Sequence, residues 1–197
     1  MLHLQQHLTL EQQTEILKVC REVARQSPLF TPVMPSGKPF NYQMTNCGEL
    51  GWISDTKGYR YTKKHPTTGR VWTPIPEIIN NLAKDLANQI GEPDYHPQTC
   101  LINFYKSAGK LGLHQDNSEK NLKPAIISIS LGDDAIFLIG GNKRNAPTQE
   151  ILLKSGDILI LHGDSRLAFH GIKKIIPGTS SLLKNGGRLN LTIRQVY

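Results

Sequence analysis

Ile16, Leu17, Cys20, Val23 and Ala24 recur at helical spacing near the start of the chain. Thr9 followed by Gln12 has the form of a capping box ahead of them, and Ser27-Pro28 closes the run, so a helix is expected there. A second stripe, Ile78, Ile79, Leu82, Leu86 and Ile90, predicts a helix from about Pro76 to Ile90, with Gly91 as its stop. Between the two, residues 28–75 are rich in Pro, Gly, Thr and aromatics, with an extended-looking piece at 40–44. They read as loops and hairpins over the surface. An insert of that size is functional or disordered, and its Trp and Tyr content favours function. From Thr99 onward short apolar pieces recur at 100–105, 125–131, 135–139, 151–153, 157–161, 167–170 and 189–196. Many short strands at close spacing predict a sandwich or closed barrel. The fold class is therefore α+β, mainly β, and no repeat or composition shift divides residues 1–197 into more than one domain.

Composition adds exclusions. With 38% hydrophobic and 20% charged residues the chain is folded rather than disordered. No apolar run approaches the ~20 residues of a membrane span, and the opening MLHLQQHLTLEQQTE lacks the basic and apolar regions of a signal peptide. Cys20, Cys47 and Cys100 cannot all pair and form no C-x-x-C. They read as small core residues of a cytoplasmic protein. Lys and Arg number 23 against 16 Asp and Glu, a net charge of +7, which permits a polyanionic partner without identifying one. His3, His7, His65 and His96 lack partners at ligand spacing and read as surface residues. Neither a serine nucleophile elbow nor a P-loop is present.

His114-Gln-Asp116 places an imidazole and a carboxylate at i and i+2, on one side if the segment is a strand. His170 is the candidate third ligand. Two histidines and a carboxylate on one face of an octahedron form the facial triad of non-haem Fe(II) oxygenases, which leaves three positions open. Taken alone, H-x-D is more often a polar strand end or turn. A second copy, His162-Gly-Asp164, reads as such a turn. Near the C-terminus, Arg188, Asn190, Thr192 and Arg194 alternate with Leu189, Leu191 and Ile193. That pattern fits either an edge strand with a polar outer face or an inward face that clamps a dicarboxylate. Asn103 and Tyr105 form a further polar pair just before the H-x-D. Trp52, Tyr59, Arg60, Tyr61, Lys63, Lys64, His65, Arg70 and Trp72 interleave aromatics with cations. Stacking platforms along a basic track hold single-stranded nucleic acid; a solvated basic loop with structural tryptophans is the plainer alternative.

Asn103-Phe-Tyr105, Leu113-His-Gln-Asp116, Ser128-Ile-Ser-Leu-Gly132, Ser165-Arg-Leu, His170-Gly171 and Arg188-x-Asn-Leu-Thr-x-Arg194 follow one another as in the AlkB family. The chain resembles that family from about Met44 to its end. Met44-Thr-Asn-Cys-Gly-Glu-Leu-Gly-Trp52 is similar to the nucleotide-recognition lid of bacterial members. The resemblance implies a double-stranded β-helix, or jelly roll, over about residues 99–197, with N-terminal helices and a lid over about 28–75. It implies an Fe(II)- and 2-oxoglutarate-dependent dioxygenase that uses O2 to repair alkylated DNA or RNA. Bases such as 1-methyladenine and 3-methylcytosine would be demethylated, releasing formaldehyde, succinate and CO2. His114, Asp116 and His170 would bind the iron. Arg188, Asn190 and Tyr105 would hold the distal carboxylate of 2-oxoglutarate, with Asn103 and Arg194 near its metal-bound end. On the substrate side, Met44 would belong to the lid and Trp52 would stack on the base opposite His114. Tyr59 would hold the phosphate backbone, and Arg144 would edge the base pocket. Ser118 stands where bacterial members often carry an acid, and His162 where an aromatic is common. The implied partner is alkylated nucleic acid, single-stranded or with its target base flipped, acted on by a monomer away from membranes. Two alternatives stay open: the same oxygenase chemistry on a modified RNA base or a non-nucleic-acid substrate, and a non-enzymatic jelly roll that binds nucleic acid through its basic loop.

Overall fold

In the computed structural model, which describes residues 1–106 and 109–197, strand β1 (Leu2–Leu4) leads into helix α1 (Leu10–Gln26). Thr9 and Gln12 form the expected reciprocal cap: each side chain accepts a hydrogen bond from the other's backbone N–H. Ile16, Leu17, Cys20 and Val23 are its buried stripe. Helix α2 (Glu77–Gln89) buries Ile79, Ala83, Leu86 and Ala87, while Ile78 and Leu82 only flank the core. The two alanines completing that stripe are weak hydrophobic markers, which is why the sequence pattern passes over them.

Strands β2 (Gln43–Gly48), β3 (Gly51–Asp55) and β4 (Gly58–Thr62) precede α2. After it come β5 (Thr99–Tyr105), β6 (Leu111–His114), β7 (Ile126–Gly132), β8 (Asp134–Ile139), β9 (Gln149–Leu153), β10 (Ile158–Leu161), β11 (His170–Ile176) and β12 (Arg188–Arg194). They form a six-stranded sheet in the order β1-β10-β7-β12-β5-β2, a four-stranded sheet in the order β6-β11-β8-β9, and the separate β3–β4 hairpin. Period-two alternation splits the large sheet into two faces. Ile127, Ile129, Leu189, Leu191 and Ile193 pack with the helices. On the other face Leu101, Tyr105, Ile126 and Leu159 meet Phe137, Ile139, Leu153 and Ile172 of the small sheet. Helices outside and two antiparallel sheets face to face agree with the expected jelly-roll core.

Several expectations change. β12 pairs with β5 on one side and β7 on the other, so its polar face belongs to a central strand, not an edge. β2 is a strand of the six-stranded sheet, so residues 28–75 are not all surface loop. Residues 167–169 are not strand; they follow the 3-10 turn Gly163–Ser165, and β11 begins at His170. Lys173 and Lys174 lie exposed within β11, which breaks its apolar pattern. His162-Gly-Asp164 falls on that 3-10 turn, as expected. His65 is not a surface residue but 2% exposed. Its Nε2 lies 2.7 Å from the Pro28 carbonyl, Nδ1 accepts from the Thr67 and Thr68 N–H groups, and the ring contacts Phe30 and Trp72. The three cysteines are free and buried.

Candidate active site and metal centre

Register brings the two histidines together: His170 of β11 lies directly opposite His114 of β6. A side chain at Gly171 would place its Cβ 2.5 Å from the Leu111 carbonyl oxygen, so glycine lets the strands close here. Asp116 lies just beyond the end of β6 rather than on it. Its Oδ1 is 3.7 Å from His114 Nε2 and its Oδ2 3.6 Å from His170 Nε2. One ligand atom from each of the three falls within 4.8 Å of the others, and among the described residues they form the one such cluster. Each imidazole Nδ1 lies 2.9 Å from a backbone carbonyl, that of Gly112 or Ala168. Donation through Nδ1 leaves the Nε2 lone pairs free to face Asp116. Burial and the adjacent His170 lower the His114 pKa, which keeps that ring neutral. Burial opposes the Asp116 charge, but Arg194, His170 and His114 outweigh it and hold the carboxyl well below the usual carboxylate range. This donor set fits a divalent iron with open positions.

The triad opens into a cavity of about 570 Å³ between the two sheets. Asn103, Tyr105, Arg188, Asn190 and Arg194 all line it, because β5 and β12 pair with Arg188 opposite Tyr105 and Asn190 opposite Asn103. Arg188 is 0% exposed. Its guanidinium donates to the Ser130 hydroxyl at 2.7 Å and the Asp133 carbonyl at 3.1 Å, while Nε has no partner. The Asp133 carboxylate is occupied by the Gly187 and Ser180 N–H groups. Among the described residues no carboxylate pairs with Arg188. Burial lowers its pKa to about 10, still fully charged at neutral pH. A buried cation with only neutral partners is costly until an anion completes it, so the residues present fit a carboxylate ligand. Asn190 donates to the Ser128 hydroxyl at 2.8 Å. Arg194 turns instead to the triad and its surroundings, with Nη2 2.9 Å from Asp116 Oδ2 and Nη1 2.8 Å from Glu119 Oε1.

The β3–β4 hairpin stands at the cavity mouth. Trp52 lines the cavity, and the more exposed Tyr59 stacks on it with centroids 5.6 Å apart and planes at 13°. The Asn46 side chain holds Trp52 by bonding to both its backbone N–H and its carbonyl. Ser118 lines the cavity within 3.5 Å of Trp52 Nε1, and Arg144 reaches its rim over Phe169. Met44 is a correction: its register opposite Asn103 puts it on the inter-sheet face, but it is 0% exposed, packed into the core cluster that includes Tyr42 and Tyr105, and does not line the cavity. Arg60 is likewise occupied, in a bidentate pair with Asp55 at 2.6 and 2.8 Å. Trp72 is buried, its indole N–H bonded to the Thr62 carbonyl and its ring lying where a side chain on Gly51 would fall.

Sequence reasoning missed a second layer. Glu119, Arg166 and Tyr61 are joined behind the triad. Tyr61 donates to Glu119 Oε1 at 2.5 Å, Arg166 Nη2 lies 3.3 Å from Glu119 Oε2, and Arg166 Nη1 donates to the Asp116 carbonyl at 2.7 Å. Arg166 was visible within Ser165-Arg-Leu, but nothing local announces that a lone arginine after a turn is 3% exposed.

A family model described as the 2OG-Fe(II) oxygenase superfamily matches residues 1–194. The chain is 43% identical over 188 residues to an "Alpha-ketoglutarate-dependent dioxygenase AlkB homolog" of Caulobacter vibrioides, covering 95% of this chain and 84% of that one. It is 42% identical over 181 residues to the AlkB dioxygenase of Escherichia coli K12, covering 92% and 83%. Among solved structures it is similar to "The structure of OsALKBH1", with a TM-score of 0.84 and 34% identity, over 98% of this chain and 97% of that one.

Proposed function

Because this chain belongs to the AlkB family of 2OG-Fe(II) oxygenases, we propose that its cavity removes N-methyl groups from bases of DNA or RNA by oxidation. The observation that carries this reading is the uncompensated buried charge of Arg188, which lines the same cavity as a neutral-imidazole and carboxylate triad on the facing sheet. Together they suit a small dicarboxylate beside a metal, and a non-enzymatic binding module has no use for either. When bound, Fe(II) with 2-oxoglutarate and O2 supplies the oxidising power to hydroxylate an N-methyl group, whose product sheds formaldehyde.

His114, Asp116 and His170 hold the metal in this reading. Arg188, Asn190 and Tyr105 hold the distal carboxylate of 2-oxoglutarate, with Asn103 beside its metal-proximal end. Arg194 stays on Asp116, fixing the direction of that carboxylate and keeping it ionised. The apolar lining from Phe137, Leu153 and Ile172 excludes bulk water from the cosubstrate. The β3–β4 hairpin serves as the nucleotide-recognition lid: Trp52 stacks on an extruded base opposite His114, Tyr59 faces the phosphate backbone, and Arg144 borders the base. A base inside a duplex has to leave the stack to reach this depth, so single strands or flipped nucleotides are the substrates. The free buried cysteines suit a reducing cytoplasm, and no helix is long and apolar enough to cross a membrane. Action as a monomer completes the reading.

The test is succinate and formaldehyde release with Fe(II), coupled to methyl loss from oligonucleotides carrying 1-methyladenine, 3-methylcytosine or other N-methylated bases, read by mass spectrometry. Wild-type protein removes methyl and His114→Ala does not. A metal-loaded wild type that leaves every methylated DNA and RNA oligonucleotide unchanged overturns the reading in favour of a non-nucleic-acid substrate.

A further inference from the structure

Resting on the reading of the cavity as a 2-oxoglutarate site, we propose that Asp133 is a positioning residue: it fixes where the Arg188 guanidinium stands and so sets the length of 2-oxo dicarboxylate that the cavity accepts. Asp133 lies in the turn between β7 and β8, outside the cavity lining, and is 1% exposed. Burying a carboxylate is costly unless its oxygens find donors, and the buried Arg188 is the obvious partner. The Asp133 carboxylate turns elsewhere. Its Oδ2 accepts from the Gly187 N–H at 2.8 Å and its Oδ1 from the Ser180 N–H at 3.3 Å. The Asp133 backbone N–H donates to the Gly187 carbonyl at 2.8 Å, and its own carbonyl accepts from Arg188 Nη1 at 3.1 Å. Every polar group of this one residue holds the segment 180–188.

Those bonds matter because of what precedes β12. Arg188 is the first residue of that strand, so the ladder holds it from its C-terminal side alone. On the other side Gly186 and Gly187 have φ of +67° and +96°, a conformation that glycine enters and leaves freely. Without a clamp, two adjacent glycines would let the start of β12 shift and the Arg188 side chain settle at more than one depth. Gly132, at the end of β7, lets the turn close tightly. A side chain there would place its Cβ 2.5 Å from both the Gly187 carbonyl oxygen and Leu183 Cδ1. The clamp also spares the charge of Arg188. A carboxylate satisfied by two backbone N–H groups does not compete for the guanidinium, whose Nε keeps no partner. Arg188 is thus held in place yet open to an incoming carboxylate. A 2-oxo dicarboxylate is gripped at both ends, by the triad and by Arg188, and the distance between the two grips selects its length.

The experiment measures binding without turnover: calorimetric titration of 2-oxoglutarate, and of 2-oxoadipate with one more methylene, into the Fe(II)-loaded protein under nitrogen. Wild type prefers 2-oxoglutarate by about tenfold or more, the usual worth of one methylene in a fitted site. Asp133→Asn offers one acceptor oxygen and an NH2 group where two N–H donors point. It weakens 2-oxoglutarate binding by about tenfold, the size of one lost hydrogen bond to a charged group, and moves 2-oxoadipate by no more than about twofold. The preference shrinks toward parity while iron content stays as in wild type. Gly186→Ala serves where Asp133→Asn fails to fold by circular dichroism. Its Cβ meets only Asp133 Oδ2, at 3.7 Å, while the positive φ strains any L side chain. It loosens the same turn with the carboxylate intact and narrows the preference in the same direction. No preference in wild type, unchanged 2-oxoglutarate affinity in the folded variant, or equal weakening of both acids overturns the proposal; the last makes Asp133 a general brace. A wild type that binds neither acid overturns instead the 2-oxoglutarate reading on which the proposal rests.

Discussion

The centre of the six-stranded sheet and the β3–β4 hairpin hold their polar groups in opposite ways. On β12 and β5, Arg188, Arg194, Asn103 and Tyr105 are all 5% exposed or less, and β12 is laddered on both sides. On the hairpin Tyr59 is 54% exposed, and the two strands pair only with each other. An isolated two-stranded ribbon is marginal in water. The hairpin is tied down by the Asn46–Trp52 bonds, by the packing of Trp72 on Gly51, and by Tyr61 on Glu119. Groups proposed to meet a small fixed cosubstrate sit where backbone pairing sets their positions. Groups proposed to meet a bulky, variable nucleotide sit on a hairpin held to the body by side-chain contacts in place of a sheet ladder. Glu119 joins the two regions, bonded to Tyr61 of the hairpin and Arg194 of β12, and Arg166 backs it from the Asp116 side.

The sharpest way to break this comparison is at Arg188. Arg188→Lys keeps the charge and loses the planar fork. The 2-oxoglutarate KM is expected to rise about a hundredfold, or ~2.7 kcal/mol, with iron content unchanged. Succinate assays and metal analysis decide it, and an unchanged KM removes Arg188 from the cosubstrate cradle.

Next in size is the joint itself. Burial raises the Glu119 pKa, but Arg194 and the Tyr61 hydrogen bond outweigh it, leaving the carboxyl below its usual value and ionised. Glu119→Gln keeps a hydrogen-bonding shape and removes the charge shared by two buried arginines. Loss of one partner of a buried pair costs a few kcal/mol, about 5–10 °C in Tm for a domain of this size. Hydrogen exchange is expected to quicken more in β3–β4 than in β12. Equal quickening in both would mean that Glu119 braces the sheet and does not tether the hairpin.

These two residues also show how far the sequence could be read. Arg188 through Arg194 alternates cleanly, and alternation survives folding because a strand's side chains must take opposite faces. The helices, a sandwich or barrel class and the pairing of His114 with Asp116 were legible for the same reason, since each rests on local periodicity or a short spacing; the jelly roll and the place of His170 beside them came from the resemblance in motif order along the whole chain. Glu119 and Arg166 were not. Their meaning comes from partners 47 residues apart in the chain, and no local pattern encodes that separation. Met44 and His65 misled for the converse reason. Both lie in a segment whose composition looks like surface loop, yet β2 joins the central sheet and His65 satisfies both ring nitrogens with backbone. Strand β11 was shortened by its exposed lysines, and β6, four residues containing a glycine, is too brief to signal.

Trp52→Ala sharpens the comparison from the other side. Loss of one stacking platform is expected to weaken single-strand binding by about 1–3 kcal/mol while leaving the 2-oxoglutarate KM as in wild type. A change in that KM would place Trp52 in the cradle rather than on the hairpin.

The smallest effect lies at the hairpin's own ion pair. The hydrogen bond from Arg60, then that from the Lys57 N–H, lowers the Asp55 pKa from 3.8 to about 2. A pKa depressed in the folded state stabilises the fold above the unfolded value and loses that contribution as pH falls through the folded one. The pair's share is therefore complete above about pH 4 and gone near pH 2. Both side chains are well exposed, at 37% and 40%, so solvent screens the pair and its contribution is small. Comparing Tm of wild type and Asp55→Asn across this window is expected to give a slight gap above pH 4 that closes on acidification. A gap that stays constant down to pH 2 would show that the side chain acts by turn geometry through the Lys57 N–H, and the hairpin would then owe its shape to backbone bonds, as the central sheet does.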